Sequence, residues 1–170
     1  MRKEYMEIPM FKAEEISLNI NEQSSLHGVY FSLKPTGITG ILGRSGSGKS
    51  VFLEILFGTI KASSGSFFWG GKPVKKLHCK KRRAALLPAF SFLPGWITVE
   101  KAIRYCLNKE ASKKISTFPL IKARFPQKVK TLSRGELRFL EIMIVIKMDK
   151  KVILLDDPFS GLAPMKIELV

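Results

Sequence analysis

Residues 43–50 read Gly-Arg-Ser-Gly-Ser-Gly-Lys-Ser, and they are the most informative part of the chain. It matches the pattern G-x-x-x-x-G-K-[ST] of a loop that binds phosphate groups. The residues before it, 37–42, are mostly apolar and predict a short buried strand. The residues after it place Val51, Phe52, Ile55 and Leu56 at helical spacing. Strand, glycine-rich loop and helix follow one another in the order that the motif requires.

The glycines, the lysine and the last serine of this phosphate loop (residues 43–50) each suit the binding of a nucleotide. Glycine lacks a Cβ atom, so the backbone can adopt positive φ and approach a phosphate closely. The loop opens a helix whose first N–H groups point toward an anion. Lys49 adds charge for the β- and γ-phosphates, and the Ser50 hydroxyl can bind Mg²⁺. The alternative is an ordinary Gly/Ser-rich turn. The predicted nucleotide-binding residues are Gly43, Arg44, Ser45, Gly46, Ser47, Gly48, Lys49, Ser50 and Val51.

The composition favours one globular domain. The chain has 170 residues, of which 45% are hydrophobic, enough for a sizeable core. Its beginning lacks the apolar segment of a secretory signal, and the apolar run at residues 142–146 is far too short to span a bilayer. Cys79 and Cys106 lack metal-type spacing, which favours a reducing, intracellular location.

The positive charge is concentrated in the middle of the chain. The net charge is +15, and residues 72–130 hold 16 Lys/Arg against 2 Asp/Glu, whereas the segments on either side are nearly balanced. A block of this kind is typical of a protein with an anionic partner, either lipid headgroups or nucleic acid. The alternative is a solvated, lysine-rich surface.

Alternating apolar residues predict antiparallel strands around residues 16–20, 29–33 and 66–69, and an apolar run predicts a buried strand at 84–88. Thr98 can cap a helix with one apolar face. The polar residues 108–118 predict a loop, and 119–125 predict a short helix.

The last part of the chain predicts a buried helix and a parallel strand. Ser133 and Glu136 have the spacing of a capping box, and the residues that follow are apolar on nearly every side. The apolar strand at 152–155 is of the parallel-sheet type and ends in Asp156-Asp157-Pro158.

Three motifs in this order resemble those of the ATP-binding cassette (ABC) ATPases. The first is the phosphate loop. The second is the signature segment, Leu132-Ser133-Arg134-Gly135-Glu136, which looks like the family's LSGGQ motif. The third is the strand at 152–157, which looks like the Walker B motif, followed by Ser160-Gly161-Leu162-Ala163 in place of the D-loop. The resemblance covers nearly the whole chain.

The resemblance implies an α/β P-loop NTPase fold: an ABC-type ATPase core with an antiparallel β subdomain and a small helical subdomain. We expect residues 1–170 to form a single ATP-binding domain, with the helical subdomain at 98–131. Because the chain stops at Val170, we expect it to lack the C-terminal part of the family domain.

The same resemblance implies roles for individual residues. Asp156 would hold Mg²⁺ together with Ser50. Asp157 would be the catalytic residue that orients the attacking water. The signature segment would bind the γ-phosphate of ATP held by a second subunit, which implies a head-to-tail dimer. The residues expected to do this are Ser133, Arg134, Gly135 and Glu136.

The sequence departs from the family pattern at several positions. Ala89 stands where a glutamine is expected, and Asp157 is one methylene shorter than the family's glutamate. Ala163 replaces an aspartate, and the switch histidine is absent. Tyr30 and Phe11 are the candidates for stacking on adenine. Ala89, Asp157 and the missing histidine would lower ATP turnover.

The sequence therefore predicts an ATP-binding and ATP-hydrolysing subunit of an ABC transporter, which uses Mg²⁺·ATP and works with a separate membrane permease. We expect it in the cytoplasm, on the cytoplasmic face of the membrane, near anionic lipids. The alternatives are a catalytically weak nucleotide-binding remnant or regulatory module, and an ABC-type ATPase that acts on nucleic acid.

Overall fold

The structure is a computed structural model that describes residues 10–20, 23–75, 77 and 83–162. The chain divides into two compact units, Met1–Lys81 and Arg82–Val170. The first contains the phosphate loop, and the second contains the signature segment and the acidic turn, Asp156–Pro158.

The first unit is built on a four-stranded antiparallel sheet. Its strands are β1 (Phe11–Ile20), β2 (Gln23–Leu33), β3 (Ser64–Trp69) and β4 (Lys72–Val74), in the order β2-β1-β3-β4. The central strand β1 buries Phe11, Ala13, Ile16 and Leu18. These lie at alternating positions except for one break, which coincides with a register shift between Ala13 and Ile16. The predicted antiparallel β subdomain is confirmed.

Helix α1 (Lys49–Phe57) follows the phosphate loop, as predicted. It buries Phe52, Leu53, Ile55 and Leu56. The Phe52 ring meets the ring of Phe31 on β2 edge to face, with centroids 5.5 Å apart. Burial of each such side chain contributes about 1.5–3 kcal/mol, so packing fixes the position of the helix that begins at the loop.

The predicted strand at residues 37–42 is not formed. Ile38 and Leu42 are almost completely exposed. Neither sheet of the described residues contains this segment. A strand of the parallel-sheet type is stabilised by hydrogen bonds to neighbouring strands and by burial of both faces. The apolar composition of the segment is therefore not sufficient to make it a strand.

The second unit contains a parallel pair of strands, β5 (Ala84–Leu87) and β6 (Val152–Leu155), paired in register from Ala84 with Val152 to Leu87 with Leu155. Helix α5 (Arg134–Lys147) packs on β5, where Ile142 and Val145 contact Ala85 and Leu87. This confirms both the parallel strand and the buried helix.

Three shorter helices lie between β5 and α5: α2 (Val99–Cys106), α3 (Lys109–Ile115) and α4 (Pro119–Lys122), followed by a 3₁₀ turn at Val129–Thr131. Their apolar residues pack against α5 around Phe139, Leu140, Met143 and Ile144. All of these helices fall within the range 98–131 predicted for the helical subdomain.

Helix α3 corrects the loop predicted at 108–118. The Asn108 side chain caps the helix by accepting a hydrogen bond from the Ala111 N–H (2.8 Å). Glu110 and Lys114 form an i,i+4 ion pair, and Ile115 is fully buried. This polar segment therefore forms a short helix whose Ile115 is buried in the core and whose Ala111 packs against it.

Candidate functional site

In the phosphate loop, the Lys49 ammonium lies inside the curve of the chain. It donates hydrogen bonds to the carbonyl oxygens of Gly43 (2.9 Å) and Arg44 (2.7 Å). The Ser47 N–H donates to the same Arg44 carbonyl (3.2 Å). The loop therefore wraps around one positive charge.

Two glycines of the loop have a backbone that other residues rarely adopt. Gly46 has φ 78° and Gly48, the N-cap residue of α1, has φ 86°. In addition, a Cβ on Gly43 would lie 2.6 Å from the Ser47 Oγ. Positive φ at Gly46 and Gly48 agrees with the prediction, and the space at Gly43 leaves no room for a Cβ without a shift of Ser47.

Most of the loop is exposed to solvent at the start of α1. Residues 42–47 and Ser50 are exposed, whereas Lys49 and Val51 are half-buried. The first turn of α1 carries no acidic residue. The N-terminus of a helix, a lysine and the absence of an acidic residue in the first turn are features that favour binding of an anion such as phosphate.

The acidic turn follows β6 directly. Asp156 is buried, and its N–H continues the ladder by donating to the Leu87 carbonyl (2.9 Å). Asp157 is exposed and has φ 43°, a left-handed conformation that aspartate tolerates better than most residues. The two carboxylates therefore have different surroundings, with Asp156 fixed by the strand and Asp157 on a strained turn.

The signature segment contains the predicted capping box. The Ser133 Oγ accepts a hydrogen bond from the Glu136 N–H (3.2 Å), and the Ser133 N–H donates to Glu136 Oε2 (2.8 Å). Glu136 Oε1 also accepts two bonds from Arg124, at 3.0 and 2.6 Å. The hydrogen bonds from Ser133, reinforced by Arg124, lower the pKa of Glu136 from 4.5 to about 2. Both the N–H and the side chain of Ser133 therefore bond to Glu136.

The signature segment lies against the chain that follows the acidic turn. A Cβ on Gly135 would be 2.9 Å from the Gly161 carbonyl oxygen, and a Cβ on Gly161 would be 3.2 Å from the Arg134 guanidinium nitrogen Nε. The second unit thus brings together the signature segment, the acidic turn and Gly161.

Sequence reasoning missed a buried charged pair on α5, formed by Arg138 and Glu141. These residues are 5% and 1% exposed. Arg138 donates to the carbonyl oxygens of Pro88, Asp156, Asp157 and Pro158. The signal was present as two charges within the otherwise apolar residues 137–146, although nothing local indicated their partners.

The structure also shows the surroundings of the two candidates for adenine stacking and of Ala89, which replaces the expected glutamine. Phe11 is fully buried and stacks on Phe67, so its face is not available to adenine. Tyr30 is exposed, and its hydroxyl donates to Glu15 (2.7 Å), which raises the pKa of the tyrosine. Ala89 is exposed just after β5. Ala163 lies outside the described residues.

The described residues provide no metal site made of protein ligands alone, because no three His, Cys, Asp or Glu side chains among them converge. Mg²⁺ commonly binds through one or two protein oxygens together with substrate phosphates. Within the same part of the chain, no helix has the length and apolar character needed to cross a membrane.

Comparison with known proteins identifies the family. The family model described as "ABC transporter" matches residues 26–160. The chain is 28% identical to the high-affinity branched-chain amino acid transport ATP-binding protein BraG of Pseudomonas aeruginosa, over 95% of this chain and 74% of that protein. It is 29% identical to the probable branched-chain amino acid transport ATP-binding protein LivF of Archaeoglobus fulgidus, over 95% and 73%.

Solved structures share the fold. A nucleotide-free ATP-binding cassette from an ABC transporter superimposes with a TM-score of 0.72 at 22% identity, covering 94% of this chain and 73% of that one. A putative ABC transporter ATP-binding protein from Pyrococcus furiosus gives a TM-score of 0.76 at 19% identity, covering 94% and 81%.

Proposed function

The chain belongs to the ABC transporter family as an ATP-binding subunit, and from this premise we propose that it binds Mg²⁺·ATP and hydrolyses it to drive a separate membrane permease. The observation that carries the proposal is the phosphate loop, curved around the Lys49 ammonium at the start of α1. We also propose that residues 1–170 act as one ATP-binding domain, with residues 98–131 as its helical part.

The roles of the residues follow from their chemistry. Gly43–Val51 would hold the phosphates through backbone N–H groups and the Lys49 ammonium. Ser50 and Asp156 would supply oxygen ligands to Mg²⁺, which neutralises charge on the β- and γ-phosphates when bound. Asp157, exposed on its turn, would orient the attacking water.

The signature segment would act on ATP held by a second subunit. Its helix N-terminus and the exposed Ser133 hydroxyl suit an anion, and Arg134 is exposed beside them. We therefore propose a head-to-tail dimer in which residues 133–136 complete the partner's nucleotide site.

The first test compares nucleotide affinity and turnover in the chain and in Lys49→Ala, with Lys61→Ala as a matched control on an exposed lysine. Loss of both binding and turnover in Lys49→Ala alone would support the proposal. ATP binding without turnover, combined with activity gained in Asp157→Glu, would instead identify a regulatory nucleotide-binding module.

We propose further that the helical part lies on the cytoplasmic face of the membrane, next to anionic lipids. Its exposed lysines include Lys101, Lys109 and Lys113. Tyr105 in this part is 79% exposed, Trp96 just before this part is 75% exposed, and such aromatic residues favour the membrane interface. Each lysine near an anionic surface contributes about 1 kcal/mol.

Vesicle binding tests this placement. Replacing Lys109 and Lys113 with Gln should lower partitioning onto anionic vesicles at least tenfold, since 1.4 kcal/mol corresponds to a factor of ten. The same change at Lys34 and Lys61 in the first unit is the control. Equal binding to neutral and anionic vesicles would refute the proposal, and salt-sensitive RNA binding without vesicle binding would favour nucleic acid as the partner.

A further inference from the structure

The guanidinium of Arg138 lies at the meeting point of two chain segments that are far apart in the sequence. Its Nη1 donates to the Pro88 carbonyl at the end of β5 (2.7 Å), and its Nη2 donates to the carbonyls of Asp156 (2.6 Å) and Asp157 (3.1 Å). Its Nε donates to the Pro158 carbonyl (3.2 Å). One side chain therefore holds the end of β5 and every carbonyl of the acidic turn.

Glu141, one turn further along α5, holds the continuation of the first segment. Its Oε1 accepts hydrogen bonds from the Ser91 hydroxyl (2.6 Å) and the Phe92 N–H (3.0 Å). Its Oε2 lies 3.6 Å from Arg138 Nη1. Residues 88–92 therefore bond to α5 through the Pro88 carbonyl, the Ser91 hydroxyl and the Phe92 N–H. Ala89, within this segment, has no polar side-chain group that could add a bond.

We propose that Arg138 is a positioning residue for ATP hydrolysis, which fixes the acidic turn and links it to the segment after β5. The inference rests on the proposed function, in which Asp156 and Asp157 act on Mg²⁺ and water. Asp157 has a left-handed backbone, and such a conformation persists only when its surroundings hold it. The bond from Arg138 to the Asp157 carbonyl supplies that restraint.

The chemistry of arginine explains the choice of residue. A planar guanidinium carries five N–H donors in a fixed arrangement, which suits several carbonyl oxygens at once. Lysine would keep the charge next to Glu141 but has a single nitrogen, so it cannot reach all four carbonyls. A residue present only to neutralise Glu141 would not need these four bonds.

The test separates positioning from charge balance. Removing one partner of a buried pair leaves an unpaired charge, whereas removing both charges does not. We therefore compare Glu141→Gln, which keeps an acceptor for Ser91 and Phe92, with the double variant Arg138→Met/Glu141→Gln and with Arg138→Lys. Lys147→Met removes a positive charge elsewhere on α5 as a control.

If Arg138 positions the turn, the double variant folds, but its kcat for ATP falls on the order of 10²-fold while KM changes less than about threefold. Amide hydrogen exchange across residues 154–162 becomes faster, and Glu141→Gln alone has a small effect. Arg138→Lys folds with the same defect in kcat.

The opposite pattern would overturn the inference: Glu141→Gln impaired, with the double variant restored to normal turnover and exchange. The exchange measurement does not depend on catalysis. If the unmodified chain hydrolysed no ATP, the proposed function would fail on its own, and exchange in residues 154–162 would still decide whether Arg138 holds the turn.

Discussion

Glu136 provides a quantitative prediction, because its carboxylate takes part in both the capping box and the ion pair with Arg124. Glu136→Ala removes the bond to the Ser133 N–H and both bonds from Arg124. A helix cap is worth about 1 kcal/mol, and an exposed ion pair about 0.2–1 kcal/mol. The side chain of Arg124 is 42% exposed, which places the pair toward the lower end of that range. We expect Glu136→Ala to cost about 1.5 kcal/mol of unfolding free energy.

Glu136→Gln is the matched variant, because glutamine also forms a capping box but carries no charge. It should cost about 0.5 kcal/mol at pH 7. The free-energy cost of Glu136→Gln should decrease as the pH is lowered. Folding lowers the pKa of Glu136 from 4.5 to about 2, so the charged carboxylate stabilises the protein above about pH 4.5. This stabilisation is lost as the pH falls toward 2.

Urea unfolding followed by circular dichroism at several pH values between 7 and 2.5 would measure both effects. The difference between the unmodified chain and Glu136→Gln should shrink as the pH falls, whereas part of the cost of Glu136→Ala should remain. If the difference between the unmodified chain and Glu136→Gln stayed constant over this range, or if the two variants cost the same at pH 7, the carboxylate would not have the role assigned to it.

Three further substitutions test single contacts. Gly135→Ala would place a Cβ 2.9 Å from the Gly161 carbonyl oxygen, so we expect a loss of about 1–3 kcal/mol and lower ATP turnover; unfolding and turnover like those of the unmodified chain would contradict this. Gly65→Ala, at φ 117° and with a Cβ 2.9 Å from the Ile16 Cα, should destabilise the first unit by about 1–3 kcal/mol, measured as faster amide exchange in β1 and β3. Asp157→Asn should keep its left-handed backbone and its stability but lose turnover by about 10²-fold or more, and full activity in this variant would exclude Asp157 as the residue that orients water.

The sequence predicted well the features whose signals are local. The phosphate loop, α1 and the Ser133–Glu136 capping box are encoded by residues a few positions apart, and the structure contains all three. The parallel strand β6 was also predicted correctly. Strands of a parallel sheet are buried on both faces, so a short, continuous apolar run is a strong signal for one.

Other local signals were misleading. The segment 37–42 has the composition of a buried strand but forms none, and residues 108–118 have the composition of a loop but contain α3. In the first case the strand depends on neighbours that its own residues cannot specify. In the second, one buried isoleucine and a cap outweighed the polar composition.

Short spacings along the chain were enough to predict three motifs: a glycine-rich loop that opens a helix, a signature segment and a strand that ends in acidic residues. The contacts that hold the acidic turn, in contrast, are visible only in the folded chain. Arg138 reaches the Pro88 carbonyl 50 positions away and the Asp156 carbonyl 18 positions away. Partners at such separations are chosen by packing, because burial of the charge is tolerated only where carbonyls and Glu141 surround it.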